Sequence, residues 1–199
     1  MEPLYYHLVD LPSIPDSFMQ DLLSRAYHEQ RQDTSQNHLR PEYRSRMISN
    51  IDSDKLLPST RSQRFKTSDD FAHWIRQNIV TDYTECSISV TEHALGSIHG
   101  AHTDWTRHWL LIYPFVTGGA KCQTTWYQQH GQSVQRPDLG CYVTDYSEIQ
   151  VLDHVIMQER SWYALDTRVL HGVENIQHDR ITVQIGLWHL DDVMTKLIF

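Results

Sequence analysis

The sequence predicts a single α+β domain in which two amphipathic helices precede a region of short strands. Apolar residues recur at helical spacing in two N-terminal segments, and from about residue 84 short β-branched and aromatic runs alternate with Gly, Pro and Asp. No internal repeat, low-complexity tract or linker-like stretch divides the 199 residues, a length that one core can serve. We therefore expect one domain over residues 1–199, with a helical and loop-rich support region at 1–83 and a strand core at 84–199 that forms a sandwich or barrel.

The two helices are predicted at residues 16–30 and 69–79. Asp16 or Ser17 can cap the first helix and Ser68 the second, because their side-chain oxygens accept hydrogen bonds from the free N–H groups of the first turn. The expected buried stripes are Phe18, Leu22, Leu23 and Ala26 in the first helix and Phe71, Trp74, Ile75 and Ile79 in the second. Between the helices, residues 31–66 are predicted to form loops, with a short strand near residues 46–51.

Six strands are expected after the second helix, each a β-rich run bounded by turn residues. They are residues 86–92, 109–116, 121–128, 149–157, 161–165 and 181–189. Turns are predicted at the Thr117–Gly118–Gly119 and His130–Gly131 sequences and between residues 137 and 140.

Composition and charge exclude several classes of protein. The formal net charge of −8 argues against broad electrostatic binding to nucleic acid or to an anionic membrane. No apolar run approaches the roughly 20 residues that span a bilayer, and the N-terminus lacks the basic and apolar regions of a signal peptide. The three cysteines form no CxxC pair, and an odd number fits a reducing compartment. We expect a cytoplasmic protein without a membrane partner.

The charge is distributed unevenly along the chain. Residues 31–66 contain eight basic and four acidic residues, although the whole chain is acidic. A solvated, loop-rich segment is the ordinary interpretation of such a run, and a basic flap over the functional site is the alternative.

A candidate metal site lies in the strand-rich half. His102 and Asp104 are two residues apart, so in an extended segment their side chains point to the same face. His171 follows 69 residues later in the sequence Val169-Leu-His-Gly-Val173. Two imidazoles and one carboxylate on one face of an octahedron leave three positions open, as non-haem Fe(II) oxygenases require. Catalytic zinc sites use similar ligands, so the metal is left open by the ligands alone.

Arg180 is the residue that favours one ligand chemistry. It lies nine residues after His171 and opens an apolar strand. A buried guanidinium can hold a carboxylate through two parallel hydrogen bonds. 2-Oxoglutarate has such a carboxylate at the end opposite its metal-chelating keto acid, and Thr182, on the same strand face, could add a hydroxyl donor.

These motifs together resemble the Fe(II)/2-oxoglutarate-dependent dioxygenase superfamily, especially its prolyl-4-hydroxylase-like branch. The segment 93–104, HALGSIHGAHTD, is similar to that branch's approach to its HxD motif. The strand that begins at Trp109, the Gly118–Gly119 pair, the segment around His171 and the strand 180–188 are similar to the elements that follow. The match covers roughly residues 84–190. Gly186, six residues after Arg180, departs from the nucleic-acid demethylating branch, which usually has an arginine there.

The resemblance implies a double-stranded β-helix, also called a jelly roll or cupin-like fold, with N-terminal supporting helices. It implies Fe(II) held by His102, Asp104 and His171, and 2-oxoglutarate as co-substrate held by Arg180, with Thr182 and Tyr113 as further contacts. The implied reaction hydroxylates a C–H bond of a peptide side chain or small amino-acid-like substrate and produces succinate and CO₂. Trp105, Arg107 and Trp126 are candidates to line the substrate mouth, although a core or rim position is the ordinary interpretation of each.

Two other interpretations of the same residues remain open. The first is a zinc- or manganese-dependent hydrolase or isomerase on a cupin-like barrel, in which Arg180 would hold a substrate anion. The second is a barrel without enzymatic activity that serves as a binding or structural module. The sequence gives no indication of the oligomeric state, and residues 31–66 or 128–148 are candidates for a lid.

Overall fold

The computed structural model of the chain describes residues 5–31, 62–91, 99–104, 107–130, 134–136, 140–142 and 146–193. The strand predicted near residues 46–51, most of the basic segment and part of the predicted lid 128–148 lie outside these ranges. Within them, no helix is both long enough and apolar enough to cross a membrane.

The described chain contains two helices and twelve strands. The helices are α1 (Asp16–Arg31) and α2 (Asp69–Asn78), and single turns of 3-10 helix occupy Tyr146–Glu148 and Leu190–Asp192. The strands are β1 (Tyr6–Val9), β2 (Ser62–Lys66), β3 (Glu85–Thr91), β4 (His99–His102), β5 (Trp109–Thr117), β6 (Gln123–Gln129), β7 (Val134–Arg136), β8 (Gly140–Tyr142), β9 (Ile149–Val155), β10 (Trp162–Asp166), β11 (His171–Glu174) and β12 (Arg180–Leu187).

The strands form two antiparallel sheets of six. The first sheet has the order β1-β10-β5-β12-β3-β2 and the second the order β7-β8-β4-β11-β6-β9. Trp126 and Val155 of the second sheet pack in one apolar cluster with Leu110 and Ile112 of the first, so the sheets face each other. This is a mainly β architecture, compatible with a sandwich of the jelly-roll type.

The helices cover the outer face of the first sheet. Ile181, Val183, Ile185 and Leu187 of β12 pack in one large core with Leu22 of α1 and with Phe71 and Ile75 of α2. The predicted capping residue Ser68 accepts a hydrogen bond from the Phe71 N–H at 3.3 Å, which starts α2 where the sequence placed it. Because side chains alternate along a strand, Arg180, Thr182 and Gln184 lie on the opposite face of β12, toward the second sheet.

The Gly118–Gly119 turn joins the two sheets and approaches the start of β12. Both residues have positive φ, at 90° and 119°, where side-chain-bearing residues are rare. A Cβ on Gly118 would lie 3.1 Å from the Arg180 Cβ, and the Gly118 carbonyl accepts a hydrogen bond from the Gln177 N–H at 2.7 Å. The turn predicted from the sequence therefore also fixes the segment that leads into Arg180.

Candidate metal centre

The pairing of β4 with β11 brings the two predicted histidine ligands together. These strands are antiparallel neighbours in the second sheet, and His171 lies directly opposite His102 in their register. Side chains opposite each other on neighbouring strands share a face. The two imidazole ring centroids are 4.6 Å apart, and both residues are buried, with exposures of 8% for His102 and 6% for His171.

Asp104 completes the group just beyond the end of β4. Its backbone N–H donates to the Thr167 carbonyl at 3.0 Å, which fixes the chain after the strand ends. Its Oδ1 lies 3.6 Å from His102 Nε2, and its side chain is 10% exposed. One candidate ligand atom from each of His102, Asp104 and His171 lies within 4.8 Å of the other two. The structure thus brings together the three residues that the sequence predicted as ligands.

The surroundings of His171 prepare its ring to act as a ligand. A backbone carbonyl only accepts hydrogen bonds, so the 2.9 Å contact between His171 Nδ1 and the Val169 carbonyl places a proton on Nδ1 and leaves the Nε2 lone pair free. Burial, and secondly the neighbouring His102, lower the pKa of His171 to about 4. At neutral pH the ring is therefore uncharged, which is the form that binds a cation.

The donor set fits a divalent transition metal. Two imidazole nitrogens and one carboxylate oxygen suit Fe(II), and three protein ligands leave positions for a chelating ligand and O₂. The same donors also suit zinc or manganese, so the geometry defines a candidate metal site without choosing the ion.

Arg107 lies beside the candidate metal site, and its guanidinium is held by two carboxylates. Its side chain is only 3% exposed, its Nε donates to Asp104 Oδ2 at 2.5 Å, and its Nη1 donates to Glu85 Oε1. A guanidinium held by two carboxylates in this way is not presented to an incoming substrate. This position contradicts the predicted substrate contact of Arg107 and places its guanidinium beside the candidate ligand Asp104.

Arg180 and Thr182 lie on the same buried face of β12, as their two-residue spacing predicts, and this face is directed toward the second sheet. Arg180 is 6% exposed, and its Nη2 lies 3.5 Å from the thioether sulfur of Met157. Burial lowers the pKa of Arg180 below its usual value, and the neighbouring Cys122 opposes that effect. In the part of the chain that the structure describes, no carboxylate forms an ion pair with Arg180.

Tyr113 is placed on the opposite side of the sheet from Arg180. It lies opposite Val183 in the register of β5 and β12, and its ring packs with Trp162 in the core beneath the helices. Since Val183 and Thr182 point to opposite faces, Tyr113 does not share the face of the predicted co-substrate contacts. The predicted contact of Tyr113 with 2-oxoglutarate is therefore wrong. A shift of one residue along β5 separates the predicted face of Tyr113 from the observed one.

The structure describes one of the two tryptophans that were predicted at the substrate mouth. Trp126 is fully buried, donates from Nε1 to the Asp166 carbonyl at 3.0 Å and stacks near Tyr5 and Tyr6. It is a core residue beneath His171, its neighbour in the register of β6 and β11, and this corrects its predicted substrate role. Trp105 lies outside the described residues.

Sequence reasoning missed a row of polar side chains around Arg180. On the inner face, Thr91, Ser89 and Ser87 of β3 lie opposite Arg180, Thr182 and Gln184 of β12, respectively. Within the described residues, Ser87 Oγ and Gln184 Oε1 are buried without a hydrogen-bond partner. The signal in the sequence was the strict alternation of polar and apolar residues in 87–91 and 180–185. Because both faces of a central strand are covered, the polar residues of such a strand are buried as well.

Comparisons with known proteins leave the chain without an assigned family. No protein-family model matches the sequence, and no curated protein matches it. Among solved structures, the chain is similar to the X-ray structure of E. coli ycfD, with 11% sequence identity and a TM-score of 0.36. The alignment covers 95% of this chain and 56% of that one, so this chain spans little more than half the length of that structure's chain. Similarity at this level supports no conclusion about activity.

Proposed function

We propose that the chain is a non-haem metal-dependent oxygenase built on a double-stranded β-helix. Eight of its strands support this fold, since β10-β5-β12-β3 form the centre of one sheet and β4-β11-β6-β9 most of the other. The connections from β3 to β6 and from β9 to β12 change sheet at every step, which is the pattern of a jelly roll. Within this class we propose an Fe(II)- and 2-oxoglutarate-dependent dioxygenase of the prolyl-4-hydroxylase-like branch.

The observation that carries the choice of co-substrate is the environment of Arg180. An arginine remains protonated under ordinary conditions, and a buried charge without a counter-charge is costly. The described residues place a thioether and a thiol beside the Arg180 guanidinium, and no carboxylate. A dicarboxylic acid that enters between the sheets would supply the missing negative charge through paired hydrogen bonds.

The proposed roles follow from the positions of the side chains. His102, Asp104 and His171 would hold Fe(II), Arg180 would receive the distal carboxylate of 2-oxoglutarate, and the Thr182 hydroxyl would donate to the same group. With both bound, the site would supply oxidative hydroxylation of a C–H bond by O₂, with succinate and CO₂ as the other products. The buried position of the two histidines would keep water from the reacting groups.

The proposed substrate is a peptide side chain or a small amino-acid-like molecule. The acidic net charge of −8 makes nucleic acid an unfavourable partner. The cytoplasmic location expected from the cysteine pattern is part of the same proposal, because a thiol-reducing compartment also favours ferrous iron.

Succinate formation from 2-oxoglutarate tests the proposal. We expect purified protein reconstituted with Fe(II) to convert 2-oxoglutarate to succinate at a low uncoupled rate, and His102→Ala to show none. His73→Ala, which removes an exposed histidine from α2, is the matched control and is expected to retain the wild-type rate.

Two results would count against the proposal. Equal succinate formation by wild type and His102→Ala would place the turnover outside this site. Tight zinc binding without any effect of 2-oxoglutarate on the unfolding temperature would favour the zinc- or manganese-dependent hydrolase or isomerase.

A further inference from the structure

A chain of charged side chains leads from the candidate metal ligand Asp104 to Glu85, the first residue of β3. Arg107 Nε donates to Asp104 Oδ2 at 2.5 Å, and Arg107 Nη1 donates to Glu85 Oε1. The other oxygen, Asp104 Oδ1, lies 3.6 Å from His102 Nε2. The two oxygens of one carboxylate thus have separate neighbours: one faces a histidine ligand and the other faces a guanidinium.

Hydrogen bonds to Thr167 hold both Asp104 and Arg107 in place. The Thr167 carbonyl accepts the hydrogen bond from the Asp104 N–H at 3.0 Å, and the Thr167 hydroxyl donates to the Arg107 carbonyl at 3.2 Å. Thr167 is fully buried and lies four residues before His171. Asp104 and Arg107 are therefore both fixed to the chain that leads into His171, the third candidate ligand.

Gly186 provides the space that the Arg107 side chain occupies. A Cβ at position 186 would lie 3.0 Å from Arg107 Cδ, 3.0 Å from Glu85 Cγ and 2.6 Å from Thr84 Oγ1. These distances are shorter than normal contacts, so any larger residue would displace the pair. Gly186 does not have a positive φ, so its role is steric and not conformational.

We propose that Arg107, held by Glu85 and accommodated by Gly186, is a positioning residue that turns Asp104 Oδ1 toward the two histidines. The inference rests on the proposed metal site. The guanidinium occupies Oδ2 and limits Asp104 to one oxygen as a ligand. Glu85 balances the charge of Arg107, so the carboxylate of Asp104 keeps its attraction for a cation. Residues that orient a metal ligand in this way commonly contribute 10–100-fold to metal affinity or activity, as an order of magnitude.

The sign of the effect separates positioning from simple electrostatics. Replacement of the Arg107 cation by a neutral side chain makes the site more negative, and on charge alone a divalent cation would then bind more tightly. If Arg107 orients Asp104, the same replacement weakens binding. Two further variants keep every charge: Arg107→Lys loses the forked geometry, and Gly186→Ala displaces the guanidinium.

The experiment measures Mn(II) binding to the metal-free protein by isothermal titration calorimetry, without co-substrate. We expect roughly 10–100-fold weaker binding for Arg107→Lys, Gly186→Ala and Arg107→Met, each checked for folding by far-UV circular dichroism. Arg160→Met is the matched control, because Arg160 forms an exposed ion pair with Asp16 at 3.4 Å. It is expected to bind Mn(II) like the wild type.

The outcomes distinguish this inference from the proposed function. If wild type binds Mn(II), His102→Ala does not, and both Arg107→Lys and Gly186→Ala bind like wild type, then the positioning role is wrong and the metal site stands. Tighter binding of Mn(II) by Arg107→Met would also contradict the positioning role, because it would show that Arg107 affects the cation only through its charge. If wild type and His102→Ala both fail to bind Mn(II), the metal site and the inference fail together.

Discussion

Two buried arginines have different surroundings. Arg107 lies between the carboxylates of Asp104 and Glu85. Arg180 lies against the sulfur of Met157 and near the thiol of Cys122, and no described carboxylate pairs with it. Both side chains come from the strand-rich half of the chain, and both are almost completely removed from solvent.

The difference indicates two kinds of buried charge: one is paired within the folded structure, and the other we propose to bind an anionic ligand. Breaking a buried ion pair leaves an unpaired charge and destabilises a protein strongly, whereas an isolated buried charge already has an energetic cost in the folded state. We infer that Arg107 stabilises the fold and orients a metal ligand. For Arg180 we propose the reverse: it lowers the stability of the metal-free protein and provides affinity for an anion.

Replacement of Arg107 is expected to give the largest loss of stability. Arg107→Met should lower the free energy of unfolding of the metal-free protein by about 3 kcal/mol, because Asp104 and Glu85 lose their shared counter-charge. This value is at the low end of the range usual for breaking a buried ion pair, because the Glu85 side chain is about one-third exposed. Urea unfolding of the metal-free protein measures the change. A loss of less than about 1 kcal/mol is the size expected of an exposed ion pair. Such a result would show that the ion pairs of Arg107 contribute no more than ordinary surface pairs.

Replacement of Arg180 is expected to have the opposite pattern. Arg180→Met should leave the metal-free protein as stable as wild type, or more stable by up to about 2 kcal/mol, since it removes a buried cation without a counter-charge. With Mn(II) present, 2-oxoglutarate at a hundred times its dissociation constant should stabilise wild type by about 2.7 kcal/mol and the variant hardly at all. Thermal unfolding with and without 2-oxoglutarate tests both parts. Equal stabilisation of the two proteins would show that Arg180 does not receive the co-substrate.

The grouping of the three candidate ligands could be predicted because it depends on local periodicity and on few residue types. The two-residue spacing of His102 and Asp104 fixes a shared face in any extended segment. Helix α2 began at its predicted cap, and the six predicted strands exist with shifts of one or two residues at their ends. The six other strands were not in that prediction: β1, β2, β4, β7, β8 and β11. Each has only three to five residues, and strands this short gain their order from pairing and not from a strong sequence pattern.

The errors at the site arise from packing, which the sequence does not display. Tyr113 was assigned to the wrong face because a shift of one residue reverses every side chain of a strand. Arg107 and Trp126 were candidates for the substrate mouth, with a core or rim position as the ordinary interpretation, and each has internal hydrogen-bond partners. Glu85, far from Arg107 in sequence, could not be recognised as its partner without the pairing of β3 with β12.

A smaller effect is expected from the hydroxyl beside Arg180. Thr182→Val keeps the shape of the side chain and removes the donor, so 2-oxoglutarate should bind the Mn(II)-loaded protein roughly fivefold more weakly, equivalent to about 1 kcal/mol. Some stability is also lost, because Gln184 Nε2 donates to Thr182 Oγ1 at 3.3 Å. Calorimetric titration separates affinity from stability. Unchanged affinity would confine the co-substrate contacts to Arg180 and leave Thr182 as a structural partner of Gln184.

The smallest effect is expected at Tyr113, on the other face of the same sheet. Its hydroxyl is buried without a hydrogen-bond partner among the described residues, so Tyr113→Phe removes a polar atom that gains nothing from its position. The free energy of unfolding should stay within about 1 kcal/mol of wild type, with any change toward greater stability. Because the ring packs beneath the helices, the affinity for 2-oxoglutarate should not change. A tenfold loss of that affinity would show that Tyr113 does contact 2-oxoglutarate. The co-substrate would then not bind on the inner face of β12, where Arg180 lies.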